Sequence, residues 1–167
     1  MASSEQPVTT LKLDRLDRRI LTLMQIDGRI SNLELAERIG LSPTPCSRRV
    51  KHLDDSGIIE RHATLLNQAR LGLNITAMIS ITMDRHTPDR FENFERKVKE
   101  FPEVIECSIV TGQAADYLLK AVLPDMTYYE SFLLGRLTRI KGVAGVHSSF
   151  VLRKIINKTE LPLDHIT

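Results

Sequence analysis

The spacing of the apolar residues changes in the middle of this 167-residue chain. Between residues 13 and 57 they recur every three or four positions, as they do on one face of an amphipathic helix. From Ile75 to Met83 they recur at every second position, as they do in a half-buried strand. The change predicts a helical N-terminal unit and a second unit built around a sheet.

Three helices are predicted in the first unit, after a polar arm at residues 1–10. The first carries the stripe Leu13, Leu16, Ile20 and Leu23 and ends at Asp27. Ser31 and Glu34 have the spacing of a capping box and therefore begin the second helix. Gly40 ends it, because glycine readily adopts the left-handed backbone of a helix C-terminus.

The third helix begins in the segment L-S-P-T-P-C-S-R-R-V-K-H, residues 41–52. Ser42 suits the N-cap, and Pro43 suits the first helical position. At about 100° per residue, Cys46, Val50 and Leu53 point inward. Because the joint with the preceding helix is short, residues 13–57 predict a helix-turn-helix unit.

The outer face of the third helix is small, polar and basic at its beginning, which suits contact with DNA bases and phosphates. The candidate DNA-binding residues are Ser42, Thr44, Pro45, Ser47, Arg48, Arg49, Lys51 and His52. The alternative is an ordinary solvated face, partly neutralised by Asp54 and Asp55. The position of the basic run on the third helix, after a tight turn, favours DNA binding over this alternative.

The second unit has the predicted order β-α-β-β-α-β, which is the ferredoxin-like arrangement. Its predicted boundaries are a strand over 75–83, a helix from Thr87-Pro88 to Phe101, strands over Val104–Val110 and Asp116–Val122, a helix from a capping box at Thr127 and Glu130 to about Arg139, and a strand over Val146–Ile155. Helices on one face leave the other sheet face to be buried by self-association.

The predicted fold class is therefore α+β, with an N-terminal helix-turn-helix unit of the winged type and a C-terminal ferredoxin-like unit. The predicted boundaries are 11–61 for the helix-turn-helix unit, 62–73 for a linker strand, 74–156 for the ferredoxin-like unit and 157–167 for a C-terminal tail.

Composition excludes several classes of protein. The net charge is only +2, so any nucleic-acid site is a local patch. Cys46 and Cys107 lack metal or disulfide spacing, and no acid, base and nucleophile set points to an enzyme, a cofactor or a metal site. A thiol-sensing role for Cys107 is left open. The lack of a signal peptide or a long apolar run predicts a cytoplasmic protein that does not enter membranes.

Three stretches resemble the Lrp/AsnC (leucine-responsive/asparagine-regulator) family of transcription factors. They are G-R-I-S-N-L-E-L-A-E-R-I-G-L-S-P-T-P-C-S-R-R-V-K-H-L, then V-T-G-x-x-x-D-Y-L-L-K, then P-D-M. The resemblance extends from about Leu13 to about Leu163.

This resemblance implies a nucleoid-associated regulator that binds double-stranded DNA through the third helix. It also implies homodimers that assemble into tetramers or octamers, with a small amino-acid effector bound between dimers. The implied effector-site residues are Gly112, Asp116, Tyr117, Leu118, Ser148 and Ser149. Gly112 would allow close backbone approach to a carboxylate, and Asp116 would accept from an ammonium.

The chain departs from the family in one loop. Three residues separate Gly112 from Asp116, where members resembling this chain usually have two. An architectural, chromatin-like DNA binder without an amino-acid ligand is therefore the alternative function. In that case Gly112 and Asp116 only shape a turn, and Tyr117 belongs to the core.

Overall fold

The computed structural model describes residues 12–112 and 115–166, which form two compact units. The first contains the described residues up to Leu65 together with those from Ile156 onward, and the second is Leu66–Ile155. The predicted N-terminal arm lies outside the described residues. None of the described helices is both long and apolar enough to cross a membrane.

The first unit contains the three predicted helices: α1 (Arg15–Ile26), α2 (Asn32–Ile39) and α3 (Pro43–Asp55). Their apolar stripes meet in one core, made by Leu13, Ile20, Leu21, Leu35, Ala36, Ile39, Cys46 and Leu53. Cys46 and Leu53 of α3 are fully buried, as the helical spacing predicts. No strand is assigned among the described residues of this unit.

The capping box lies on α1 and not on α2. The Asp14 carboxylate accepts from the Asp17 N–H, and the Asp17 carboxylate accepts from the Asp14 N–H. At α2 only half of the predicted box forms: the Ser31 hydroxyl accepts from the Glu34 N–H. The Glu34 carboxylate instead pairs with Arg38 at 2.6 Å, because a charged guanidinium one turn away is the stronger donor.

The turn between α2 and α3 is held by backbone hydrogen bonds. Gly40 has φ +74°, a left-handed conformation that glycine adopts without strain. The Leu41 N–H donates to the Ala36 carbonyl at 2.9 Å and closes a Schellman-type end. The Asn32 side chain donates to the Pro43 carbonyl at 2.9 Å, so the first residues of α2 and α3 are tied together.

The last described residues pack with the first unit. Leu163 and Ile166 lie against its core, and Arg18 of α1 donates to the Ile166 carbonyl. The Gln25 side chain donates to the Leu161 carbonyl at 3.2 Å and accepts from the Leu161 N–H at 2.7 Å. The C-terminal segment is therefore a structural part of the helical unit.

The connection between the units is extended, with a single 3₁₀ turn at Ala69–Leu71. The second unit then runs β1 (Ile75–Met83), α4 (Pro88–Val98), β2 (Val104–Ile109), β3 (Tyr117–Leu123), α5 (Met126–Gly135) and β4 (Val143–Phe150). Its four antiparallel strands lie in the order β2-β3-β1-β4. Apolar residues of α4 and α5 join the core on one sheet face, and the ferredoxin-like prediction is confirmed.

Several boundaries of the second unit were predicted wrongly, most of all those of the final strand and of the second helix. The final strand begins at Val143, not at Val146, and ends at Phe150, which pairs with Ala77 of β1; one further bond joins the Val151 N–H to the Thr76 carbonyl. Helix α5 begins at Met126, so its N-cap lies two residues before the predicted cap, Thr127. Asp125 is the N-cap, and its carboxylate accepts from the Tyr128 N–H at 2.8 Å.

A buried carboxylate joins β2 to α5. Glu103 is 6% exposed, and its Oε1 accepts from the Tyr128 hydroxyl at 2.8 Å and from Arg136 at 2.6 Å. The Arg136 guanidinium in turn stacks on the Phe101 ring, 4.3 Å from its centroid. Burial raises the pKa of Glu103, but its own backbone N–H, Tyr128 and Arg136 together bring that pKa below its usual value.

Glu103→Gln is expected to lower the unfolding free energy by about 2 kcal/mol at neutral pH, because the acceptor of the bonds from Tyr128 and Arg136 loses its charge and a neutral amide oxygen accepts them more weakly. The lowered folded-state pKa means that this contribution is complete above the usual Glu pKa of 4.5 and is lost as the pH falls through the folded value. Urea unfolding at several pH values checks this. The difference between variant and parent should shrink in acid, whereas the exposed control Glu92→Gln should show no such difference.

Candidate nucleic-acid interface and ligand loop

The outer face of α3 presents the predicted DNA-binding residues to solvent. The exposed members are Ser42, Thr44, Ser47, Arg48, Lys51 and His52. Pro45 is half-buried in the first turn. Because Cys46 and Leu53 are fixed in the core, this face has one orientation on the unit.

The N-terminal tip of α3 retains free hydrogen-bonding groups. Ser42 is the N-cap, as predicted, but its hydroxyl makes no capping hydrogen bond in the described structure. The usual donor would be the N–H of the third helical residue, and that residue is Pro45. The Ser42 hydroxyl and the Thr44 N–H therefore remain for an external acceptor such as a phosphate oxygen.

Arg49 differs from its neighbour Arg48. Its guanidinium contacts Asp14 and Asp17, both at 2.7 Å, so it joins α3 to the start of α1. Arg48 is exposed and has no ion-pair partner within the described part of the chain. Lys51 pairs with Asp55 at 2.9 Å on the helix surface, where both side chains remain solvated. Of the three cationic side chains, that of Arg48 is the most available to a ligand.

The candidate ligand residues begin at the β2–β3 loop, which connects Ile109 to Tyr117. Gly112 has φ +80°, and among the described atoms none lies within 4 Å of the place of its missing Cβ. With respect to the residues that the structure describes, its backbone is therefore open on that side. The Val110 N–H donates to the Asp116 carbonyl at 3.0 Å and closes the loop.

Asp116 is held from several sides. Its N–H donates to the Ile81 carbonyl at 2.8 Å, and its Oδ2 accepts from the Met83 N–H at 2.7 Å. Its Oδ1 lies 2.7 Å from Nε2 of His86. Sequence reasoning missed His86, which lies 30 residues away in a polar segment with no periodic pattern.

Tyr117 is a core residue. Its ring is buried and packs against Phe94, with centroids 4.5 Å apart, and edge-on against Phe91. Its hydroxyl donates to the Glu95 carboxylate at 2.9 Å. Burial, followed by the Glu95 carboxylate, raises the pKa of Tyr117 well above its usual value, so the phenol stays protonated. Its buried side chain anchors the end of the β2–β3 loop in the core.

The remaining predicted ligand residues are separated from the loop within one chain. Ser148 and Ser149 are on β4, and β1 lies between β4 and β3, so strand spacing puts β4 roughly 10 Å from β3. Ser148 points to the helix side and accepts from the Tyr129 hydroxyl at 2.6 Å. Ser149 and Leu118 belong to the opposite sheet face. One chain brings Gly112, Asp116 and Tyr117 together and leaves the serines apart.

Cys107 lies on β2, at the edge of the sheet. The residue is exposed, but desolvation of its thiol by nearby groups, followed by the Glu95 carboxylate, raises its pKa, which lowers the fraction of reactive thiolate at neutral pH. This environment does not favour a thiol-sensing role.

Both units match known families. Residues 13–60 match a winged helix-turn-helix DNA-binding family, and residues 76–161 match the Lrp/AsnC ligand binding domain.

Individual relatives align over most of the chain. The leucine-responsive regulatory protein of Escherichia coli K12 is 42% identical over 149 residues, which are 89% of this chain and 90% of that protein. A transcriptional regulator from Neisseria meningitidis, solved as an L-Met complex, has a TM-score of 0.89 and 42% identity, covering 93% of this chain and 99% of its own. An AsnC family transcriptional regulator from Agrobacterium tumefaciens has a TM-score of 0.86 and 37% identity, covering 93% and 100%.

Substitution of the two neighbouring arginines of α3 should change the unfolding free energy by different amounts. Arg49→Met is expected to lower the unfolding free energy by about 1 kcal/mol, because it leaves the buried Asp17 without its cation. Arg48→Met, the matched control, should stay within about 0.5 kcal/mol of the parent. Urea unfolding at low and high salt measures both. Equal effects of the two changes would contradict the structural role of Arg49.

Proposed function

Because this chain belongs to the Lrp/AsnC family of transcriptional regulators, we propose that it binds double-stranded DNA through α3 and a small amino acid at the β2–β3 loop. The observation that carries the proposal is the division of α3 into a buried face and an outer face with an available Arg48. The second unit supplies a loop with an open glycine backbone and a nearby carboxylate.

On DNA, α3 would lie in the major groove with its N-terminal tip close to the backbone. Small side chains at Thr44 and Ser47 allow close approach to base edges. Arg48 follows one position later and can reach a base or a phosphate. Arg49 is engaged with α1, so it would act by holding α3 in place.

Arg48→Ala is expected to weaken specific DNA binding by about 1–3 kcal/mol, because a guanidinium contact is lost. Binding isotherms on a selected operator fragment at several salt concentrations measure this. A salt slope reduced by about one unit would indicate a phosphate contact, and an unchanged slope with relaxed sequence preference would indicate a base contact.

Two control variants make this measurement specific. Arg48→Lys keeps the charge but not the two-pronged geometry, so it should rescue only a phosphate contact. Arg70→Ala removes an exposed cation from the second unit and should leave affinity unchanged. Unchanged operator affinity of Arg48→Ala would overturn the proposed orientation of α3.

The effector proposed is an amino acid with an apolar side chain. Two relatives support this class, since one is named for its response to leucine and the other was solved with L-Met. The Gly112 backbone can approach a carboxylate closely, and Asp116 offers an acceptor for an ammonium. Ser148 and Ser149 would contribute only if a second copy brought its own β4 to the loop.

The second sheet face supports self-association. Helices α4 and α5 cover one face, and the opposite face carries the half-buried apolar residues Met78, Leu118 and Val122. We propose that a second copy covers this face, as a homodimer that can assemble further. Ligand binding would then act by favouring one assembly state over another.

Thermal unfolding with each of the twenty amino acids at millimolar concentration tests the effector proposal. A ligand at 100 times its Kd should stabilise the native state by about 2.7 kcal/mol and raise the Tm. L-leucine and L-methionine are the expected hits, and light scattering on the same samples should report a change in assembly. No shift with any amino acid would favour the architectural DNA binder.

A pair of glycine variants controls for backbone strain. Gly112→Ala should abolish the ligand-induced shift, whereas Gly72→Ala carries the same kind of left-handed strain away from the loop and should keep it. If both variants respond like the parent, the ligand does not approach the Gly112 backbone.

A further inference from the structure

The connections of Asp116 are not equivalent. Three are made with backbone groups: its N–H with the Ile81 carbonyl, its carbonyl with the Val110 N–H, and its Oδ2 with the Met83 N–H. The fourth joins Oδ1 to a side chain, the Nε2 of His86. Backbone groups of ordered strands cannot leave without local unfolding, but a side chain can rotate away.

The backbone connections alone suffice to hold Asp116. They come from the end of β1 and the start of the β2–β3 loop, and they fix both its main chain and one carboxylate oxygen. His86 is therefore not needed to position this residue. Its bond affects only the Oδ1 atom.

His86 is the exposed partner in this pair. Its side chain is 69% exposed, whereas that of Asp116 is 20% exposed. Its ring lies 6.0 Å from the Phe91 ring, centroid to centroid, at an angle of 48°, which is a loose contact on one side. Because a carboxylate only accepts, Nε2 must carry the proton and donate to Oδ1.

We propose that His86 and the ammonium of an amino-acid ligand compete for Oδ1 of Asp116. The inference rests on the proposed amino-acid site and names what regulates it. A partly buried carboxylate oxygen needs a donor, and His86 supplies one until a ligand ammonium takes its place. Each binding event then breaks one protein hydrogen bond, so His86 weakens the affinity for ligands with an amino group.

The experiment measures Kd by isothermal titration calorimetry on the full chain. The probes are L-leucine, L-methionine and 4-methylpentanoate, which is leucine without its amino group. The proteins are the parent, His86→Ala, His86→Gln and the control His62→Ala, whose histidine is exposed in the first unit. Glutamine is included because its amide can replace the Nε2 donor.

Competition predicts that His86→Ala binds L-leucine or L-methionine about two- to tenfold more tightly than the parent, the value of one net hydrogen bond. His86→Gln should return to the parent Kd, His62→Ala should not differ from it, and 4-methylpentanoate should bind all four proteins equally. Binding of the amino acids by His86→Ala alone would also support competition.

Unchanged or weaker amino-acid binding by His86→Ala would overturn the inference while leaving the proposed amino-acid site intact. An equal gain for 4-methylpentanoate would also overturn it, since the amino group would then be irrelevant. If neither amino acid binds any of the four proteins, the proposed effector function fails and the inference fails with it.

Discussion

The burial of one face of α3 determines what each of its basic residues can do. Cys46 and Leu53 are fully buried, so the helix cannot rotate about its axis. Arg48 then points to solvent, and Arg49, only 100° further round, reaches the carboxylates that begin α1. Adjacent arginines in one basic run thus have different environments: Arg48 is exposed to solvent, and Arg49 fixes the helix that carries both.

The same constraint explains why the periodic part of the fold could be predicted. The stripes of α1, α2 and α3 and the alternation of β1 each identify a buried face, and all four elements are present. The ends of a strand depend on its pairing with the neighbouring strand, and the spacing of apolar residues does not predict them. The predicted final strand runs from Val146 to Ile155, whereas β4 runs from Val143 to Phe150, the length over which it pairs with β1.

The candidate site was predictable only where its residues are close in the sequence. The outer face of α3 and the Gly112 turn belong to single local segments. The partners of Arg49 lie 35 and 32 residues away, and His86 lies 30 residues from Asp116, with no pattern that links them. Ser148 and Ser149 are neighbours in sequence, yet the pleat of β4 sends their side chains to opposite faces.

Two carboxylates of the second unit differ in whether their hydrogen-bond partners are buried, and therefore in whether a ligand can replace a partner. Glu103 is 6% exposed, and its donors Tyr128 and Arg136 are held by α5 and by the Phe101 ring, so breaking these bonds disturbs the packing. Asp116 accepts one bond from the backbone of β1 and one from an exposed histidine. Only the second of these can be exchanged with a ligand at little cost to the fold, because solvent can replace an exposed side chain as a partner. This difference makes Asp116, and not Glu103, the carboxylate suited to regulation.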